Sequence, residues 1–211
     1  MEPAVRRLIF RAYGENHLPS TRAERMAAVV ERWLREGSYV LTAGPAEPVS
    51  VPANVVPPEQ AIAHQRACME VHAPLYLWRY PLDVQVQLWR GGWDVRVAAP
   101  SLEGTDDRHH DRRNQIRRLL QELVTSLPPL FLVGPARKPP SYANHALREF
   151  ERWTTLYIGP TWYQRFNWEP LLEARRARIT ALKGGLWVVV PGLAQTENHD
   201  GRFVMAEEEA T

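Results

Sequence analysis

The strongest constraint on this chain is a stretch that alternates, turns on two glycines and alternates back. Asp83-Val-Gln-Val-Gln-Leu-Trp89 sets an apolar side chain on every second residue, and Trp93-Asp-Val-Arg-Val97 repeats the pattern beyond Gly91-Gly92. A period of two marks a strand with one buried face, and a two-residue glycine loop is the tight connection of a β-hairpin. Counting outward from the glycines pairs Leu88 with Val95 and Val86 with Val97 on one face, and Gln87 with Arg96 on the other. The parities agree on both sides of the turn. The same register sets Arg90 opposite Trp93, within reach of a cation–π contact.

The flanking elements follow from local patterns. Val5 to Tyr13 is apolar and aromatic and predicts a strand. Thr21 and Glu24 have capping-box spacing, and Ala23, Met26, Ala27, Val30, Trp33 and Leu34 form one stripe, so a helix is expected over about 22–35, ended by Gly37. Ser38 to Ala43 predicts a strand. Prolines at 45, 48, 52, 57 and 58 predict an extended loop over 44–58, and a helix is expected at about 59–71. Gly104 to Asp111 reads as a polar loop before a helix over 112–126, whose apolar face holds Ile116, Leu119, Leu120, Leu123 and Val124. Further on, a strand is expected at 130–133, a helix near 144–153 with Ser141 at its cap, a strand at 154–158 and a helix of about two turns at 168–175. Arg178 to Leu182 and Leu186 to Val190 flank Gly184-Gly185 as a second hairpin. Both its faces are apolar, which predicts a central place in the sheet.

Tyr39 to Ala46 and Pro129 to Ala136 share a strand pattern ending in Gly-Pro-Ala, and Tyr157-Ile158-Gly159-Pro160 repeats the ending. The pattern predicts an α+β fold: a mostly antiparallel sheet with helices packed on one side, in which the echo would mark a duplicated strand–helix–strand unit. One domain over 1–195 is expected, followed by a polar, mobile tail over 196–211.

Composition narrows the function classes. No run approaches 18 apolar residues, so a membrane span is not expected. The opening Met1-Glu2-Pro3-Ala4-Val5-Arg6-Arg7 lacks the pattern of a secretory leader, and the single cysteine, Cys68, fits a reducing cytoplasm. Net charge is +2, too small for the usual nucleic-acid footprint. Of 26 basic residues only Lys138 and Lys183 are lysines. Guanidinium forks recognise carboxylates and phosphates in a bidentate manner, although an arginine bias in coding produces the same excess.

Clusters that carry chemistry elsewhere are weak here. His64, Cys68 and His72 are spaced by four along one helical face, yet a straight helix separates the outer two by about 12 Å, too far to share one ion. His109, His110 and Asp111 would serve a hydrolase only if the fold turned them into a cleft; at a helix N-terminus they read as caps and dipole partners. No phosphate loop, dinucleotide fingerprint or nucleophile elbow occurs. No catalytic residue, metal or cofactor is therefore expected.

Two surfaces remain. Arg108, Arg112, Arg113, Arg117 and Arg118 form a basic run that would track a phosphate backbone. Eight tryptophans are present, and Trp89, Arg90, Trp93, Trp162, Tyr163 and Arg165 are of the types that dominate protein–protein hot spots. Trp153-Thr-Thr-Leu-Tyr157-Ile-Gly159-Pro160, Arg165-Phe166, Leu171-Leu172 and Gly184-Gly185-Leu186 together resemble the C-terminal part of bacterial immunity proteins, which accompany polymorphic and type VI secreted toxins. Leu8 to Leu34 is similar to their opening strand and helix. The resemblance is carried mainly by residues 153–190. It implies a non-enzymatic cytoplasmic protein that binds and blocks a cognate toxin, and transfers no catalytic residue. The expected binding surface is the set of aromatics and arginines at 89–93 and 162–165. The alternative is nucleic-acid binding or processing through the arginines at 108–118.

Overall fold

The computed structural model describes residues 5–14, 19–100, 107–136, 155–164, 167–174, 177–182 and 185–189. Among the described residues nine strands form one sheet: β1 (Val5–Tyr13), β2 (Val40–Thr42), β3 (Leu75–Arg79), β4 (Leu82–Trp89), β5 (Gly92–Pro100), β6 (Phe131–Ala136), β7 (Thr155–Ile158), β8 (Arg178–Leu182) and β9 (Gly185–Val189). Their order is β2-β3-β4-β5-β1-β6-β7-β9-β8, and each neighbouring pair is antiparallel. The helices are α1 (Pro19–Arg35), α2 (Pro58–Glu70), α3 (Asp107–Ser126) and the short α4 (Pro160–Tyr163) and α5 (Glu169–Ala174). This is the α+β, antiparallel fold expected from the sequence.

The three long helices cover one face. Met26, Val30 and Trp33 of α1, Ala61 and Met69 of α2, and Ile116, Leu120 and Leu123 of α3 pack on Leu8, Phe10, Val84, Val86, Val95 and Val97. Burial of such side chains contributes about 1.5–3 kcal/mol each, so this layer is the main source of stability. Two polar clasps fix the helices to one another. Gln65 Nε2 donates to the Ala27 carbonyl at 2.7 Å, and Trp33 Nε1 donates to Glu122 Oε2 at 2.6 Å. A second cluster on the other face joins Tyr13, Phe131, Val133, Ile158 and Val188 to Trp162, Trp168 and Leu172 from the segment of α4 and α5.

The structure moves several expected boundaries. The first hairpin turns on Arg90-Gly91, with Trp89 facing Gly92, so every cross-strand pair slips by two: Val86 faces Val95, Leu88 faces Trp93 and Gln85 faces Arg96. The reason is a third strand. Gly92 pairs with Tyr13 of β1, and a Cβ there would lie 1.9 Å from the Ala12 carbonyl oxygen, so the second glycine belongs inside the strand. The second hairpin behaves alike, since Leu182 pairs with Gly185, whose Cβ would fall 2.5 Å from the Ile158 carbonyl oxygen. That hairpin is not central. β8 ends the strand order among the described residues, and Arg178 to Ala181 are exposed. Its apolar pattern reflects a sheet edge with Ile179 48% exposed.

Helix α1 starts at Pro19, so Thr21 lies inside it; proline is at ease in a first turn. Helix α3 spans Asp107–Ser126, so the part of the expected loop over 107–111 is helical, with Asp107 placed to favour the dipole; residues 104–106 lie outside the described ones. Strand β3 was not anticipated. The echoed segments occupy unlike places, since β2 is at one edge and β6 lies beside β1 in the middle. The helix expected near 144–153 and the tail over 196–211 lie outside the described residues.

Candidate functional site

Strand parity builds the surface. Arg7, Ile9, Arg11 and Tyr13 of β1 share the face opposite the long helices with Asp83, Gln85, Gln87 and Trp89 of β4 and with Asp94, Arg96 and Ala98 of β5. Tyr76 and Trp78 of β3 join it, facing Gln85 and Asp83. The loop after β2 arches over part of this face. Its carbonyl at Glu47 accepts from Trp78 Nε1 at 3.2 Å, and Thr42 Oγ1 and Asn54 Nδ2 both donate to the Gly44 carbonyl. Pro45 and Pro48, which lack N–H groups, form one wall. Between loop and sheet runs a groove of about 440 Å³, bordered by Arg7, Ile9, Tyr76, Asp83 and Arg96.

Asp83 is the unusual group in that groove. It is 8% exposed, and its Oδ1 has no hydrogen-bond partner among the described residues. Burial pushes its carboxyl up to about 6, against the opposing pull of the Ala46 N–H and the Arg7 charge. Arg11, two positions along β1 from Ile9, is already engaged: its Nε and Nη2 donate to the two Asp94 oxygens at 2.7 and 2.6 Å. The hydrogen bond to Asp94 raises the Arg11 guanidinium further, with burial opposing. Arg7 and Arg96 are exposed, and neither makes a hydrogen bond or a contact ion pair among the described residues.

An aromatic row continues the face toward β6. Trp89 meets Tyr13 edge-on at 5.8 Å, Tyr13 stacks on Phe131 at 4.8 Å, and Phe131 touches Trp162 at 5.3 Å. The structure thus brings the two expected aromatic segments to one face, although their exposure differs. Trp89 is half-buried beneath the Arg11 guanidinium, 5.0 Å from its ring centre, and folds over Gly91. Arg90 is exposed in the turn, and Trp93, at 1% exposure, packs under the long helices and faces Leu88 instead of Arg90. Trp162 is 8% exposed and Tyr163 39% exposed; Arg165 lies outside the described residues. Arg22 Nη1 donates to the Trp89 and Arg90 carbonyls at 3.4 and 3.3 Å and holds the hairpin tip.

The arginine helix is split by its own periodicity. Arg113 is 4% exposed and belongs to the buried stripe of α3, Arg112 and Arg117 are half-buried, and Arg108 and Arg118 are exposed. Arg117 Nη2 donates to Asn114 Oδ1 at 2.8 Å. His109, His110 and Asp111 ride on the first turns of α3. On α2, His64 is exposed and Cys68 half-buried, with burial raising the thiol above its usual range; His72 lies past the helix end with φ of 55°. No group of three metal-ligating side chains occurs among the described residues.

Sequence reasoning missed Arg7, Tyr76 and Asp83. Two signals pointed to them: an acidic residue at the head of an otherwise well-formed strand, where Asp is disfavoured, and a proline-rich loop that had to lie on something.

No protein-family model matches the chain, and no curated protein sequence matches it. Among solved structures it is similar to the Pseudomonas aeruginosa T6SS protein PA0821, at 11% sequence identity and a TM-score of 0.49, over 94% of this chain and 69% of that one. A likeness at that level adds no weight to a reading of fold or function. No helix among the described residues is long and apolar enough to cross a membrane.

Proposed function

We propose that this is a non-enzymatic binding protein, of the immunity type that its 153–190 segment resembles, and that it blocks a cognate toxin in the cytoplasm. The observation that carries the reading is the sheet face over β3, β4, β5 and β1. Its inner side is closed by three helices, while its outer side presents Tyr76, Arg7 and Arg96 around a groove, with Trp78 on the same face. Tyrosine, tryptophan and arginine supply most hot-spot energy, and a sheet backed by a packed core presents them with little ordering cost. The binding surface is therefore moved from the set expected in the sequence. Trp93 and Trp162 act in packing, Trp89, Arg90 and Tyr163 stay as its rim, and the centre shifts to the groove.

The test is capture of partners by the tagged full chain from its native lysate, with and without nuclease, beside a Tyr76→Ala/Arg96→Glu variant of unchanged circular dichroism. The expected result is one protein in stoichiometric yield that survives nuclease and is lost by the variant. Loss of every partner on nuclease treatment would transfer the function to nucleic acid and to Arg108, Arg112 and Arg117. A partner equally well captured by the variant would remove the groove from the interface.

A further inference from the structure

We infer that the groove takes an acidic, extended segment of the protein partner, with one carboxylate bridged by Arg7 and Arg96 and the adjoining apolar residue against Ile9, Pro48 and Val49. The inference deepens the binding-protein reading and rests on it.

Charge placement carries the argument. Arg7 faces Ala98 and Arg96 faces Ile9, so the two arginines are diagonal neighbours on adjacent strands, on one face, with backbone positions about 7–8 Å apart. Two guanidinium forks at that spacing can close on a single carboxylate from both sides. The other charged groups there are each held by at least one contact, although Asp83 Oδ1 has no hydrogen-bond partner among the described residues. The Asp83 carboxyl takes the Ala46 N–H, Glu47 Oε2 accepts from Ser50 Oγ at 3.2 Å, and Arg11 is held by Asp94. Arg7 and Arg96 make no hydrogen bond or contact ion pair among the described residues, although the Arg7 charge acts on the Asp83 carboxyl.

The remaining walls select a carboxylate over a phosphate. Pro45, Pro48, Val49 and Ile9 give an apolar flank, and the two prolines have no N–H to offer a phosphate. Asp83, buried beside the arginines, repels a dianion more than a monoanion. It also offers a carboxyl that takes up a proton near pH 6, and so can share one with an incoming carboxylate. A basic segment would meet Arg7 and Arg96 before it reached Asp83.

Selection of displayed random linear peptides on the full chain tests this without knowledge of the natural partner. The expected outcome is enrichment of peptides pairing Asp or Glu with an apolar neighbour. A synthetic peptide from that pool should bind at least about tenfold more weakly to Arg7→Gln and to Arg96→Gln, and more weakly still to the double variant. Its binding should be stronger than that of its Gln/Asn counterpart. No acidic enrichment, acidic peptides indifferent to both substitutions, or basic peptides that depend on Asp83 would each overturn the inference. So would displacement of the peptide by inorganic phosphate or single-stranded oligonucleotide at comparable concentration. Acidic peptides that bind as expected while the lysate yields no stoichiometric partner would sink the immunity reading alone. A captured partner that Arg7→Gln/Arg96→Gln retains would sink this inference alone.

Discussion

Asp83 links a single residue to both stability and binding. Its carboxyl titrates at about 6 in the folded chain against an ordinary 3.8, so the folded state holds the proton more tightly than the unfolded state. Stability is therefore greatest below the unfolded value and falls as pH rises from about 4 to 6, by about 3 kcal/mol at the level of about 1.4 kcal/mol per unit. Asn at this position keeps an acceptor for the Ala46 N–H and removes the charge. Asp83→Asn is expected to stabilise the protein at pH 7 and leave it nearly unchanged at pH 4, which urea unfolding at the two pH values measures. An equal effect at both would mean that burial does not raise the Asp83 carboxyl. Gly92 presents a steric case of the same scale. Its place between β4 and β1 leaves no room for a methyl, and Gly92→Ala is expected to cost about 1–3 kcal/mol or more, by forcing β5 away from the Ala12 carbonyl. Trp162→Ala should cost about 3–5 kcal/mol in the same unfolding assay, because its ring is buried against Phe131.

At the scale of elements, the patterns that were legible are those in which burial has a period. The stripe Ile116, Leu119, Leu120, Leu123 and Val124 is buried as its spacing predicts, and Val5 to Tyr13 is a strand to the residue. What could not be read depends on a third element. Register across Gly91-Gly92 looked settled by two strands, yet β1 decided it. Strand β8 looked central because Ile179 and Leu182 fall on opposite faces, but hydrophobicity does not set strand order, and the sheet ends there among the described residues. Strand β3 went unseen because Leu75 to Arg79 is only five residues long, too short for its alternation to stand out. Arg113 belongs by charge to the basic run, yet it stands three residues before Ile116 and is buried on the stripe. The Arg11–Asp94 pair, joining β1 to β5 with the Arg11 guanidinium over Trp89, was equally invisible, since 83 residues separate the partners. A double-mutant cycle of Arg11→Ala and Asp94→Ala should give a coupling of about 1–3 kcal/mol, largely insensitive to salt because both chains are mostly buried. Additive losses would reduce the pair to a surface contact.

The whole molecule has two sides, and that division makes the function testable. Helix α3 packs on the helical side of the sheet through Ile116, Leu120 and Leu123, whereas Arg7, Tyr76 and Arg96 face the other way. Charge on one side is therefore separated from the other by a packed layer, and sites that share no partner add independently. The sequence could supply the candidate types, aromatic and arginine, but not the side each would occupy, because side follows from strand register. Two variants of the full chain separate the readings. Arg108→Gln/Arg112→Gln/Arg117→Gln alters only the helical side; Tyr76→Ala/Arg96→Glu alters only the outer face. A protein partner on the outer face predicts unchanged affinity for the first variant and at least about a tenfold loss for the second. Nucleic-acid binding through α3 predicts the converse, together with a shallower dependence of log affinity on log salt for the first variant, since each lost phosphate contact removes nearly one unit of slope. Isothermal titration of the captured partner, and of a single-stranded oligonucleotide, at two salt concentrations reads both predictions. The asymmetry between the two variants is the decisive quantity, because a loss that is equal for both would trace to folding and not to either face.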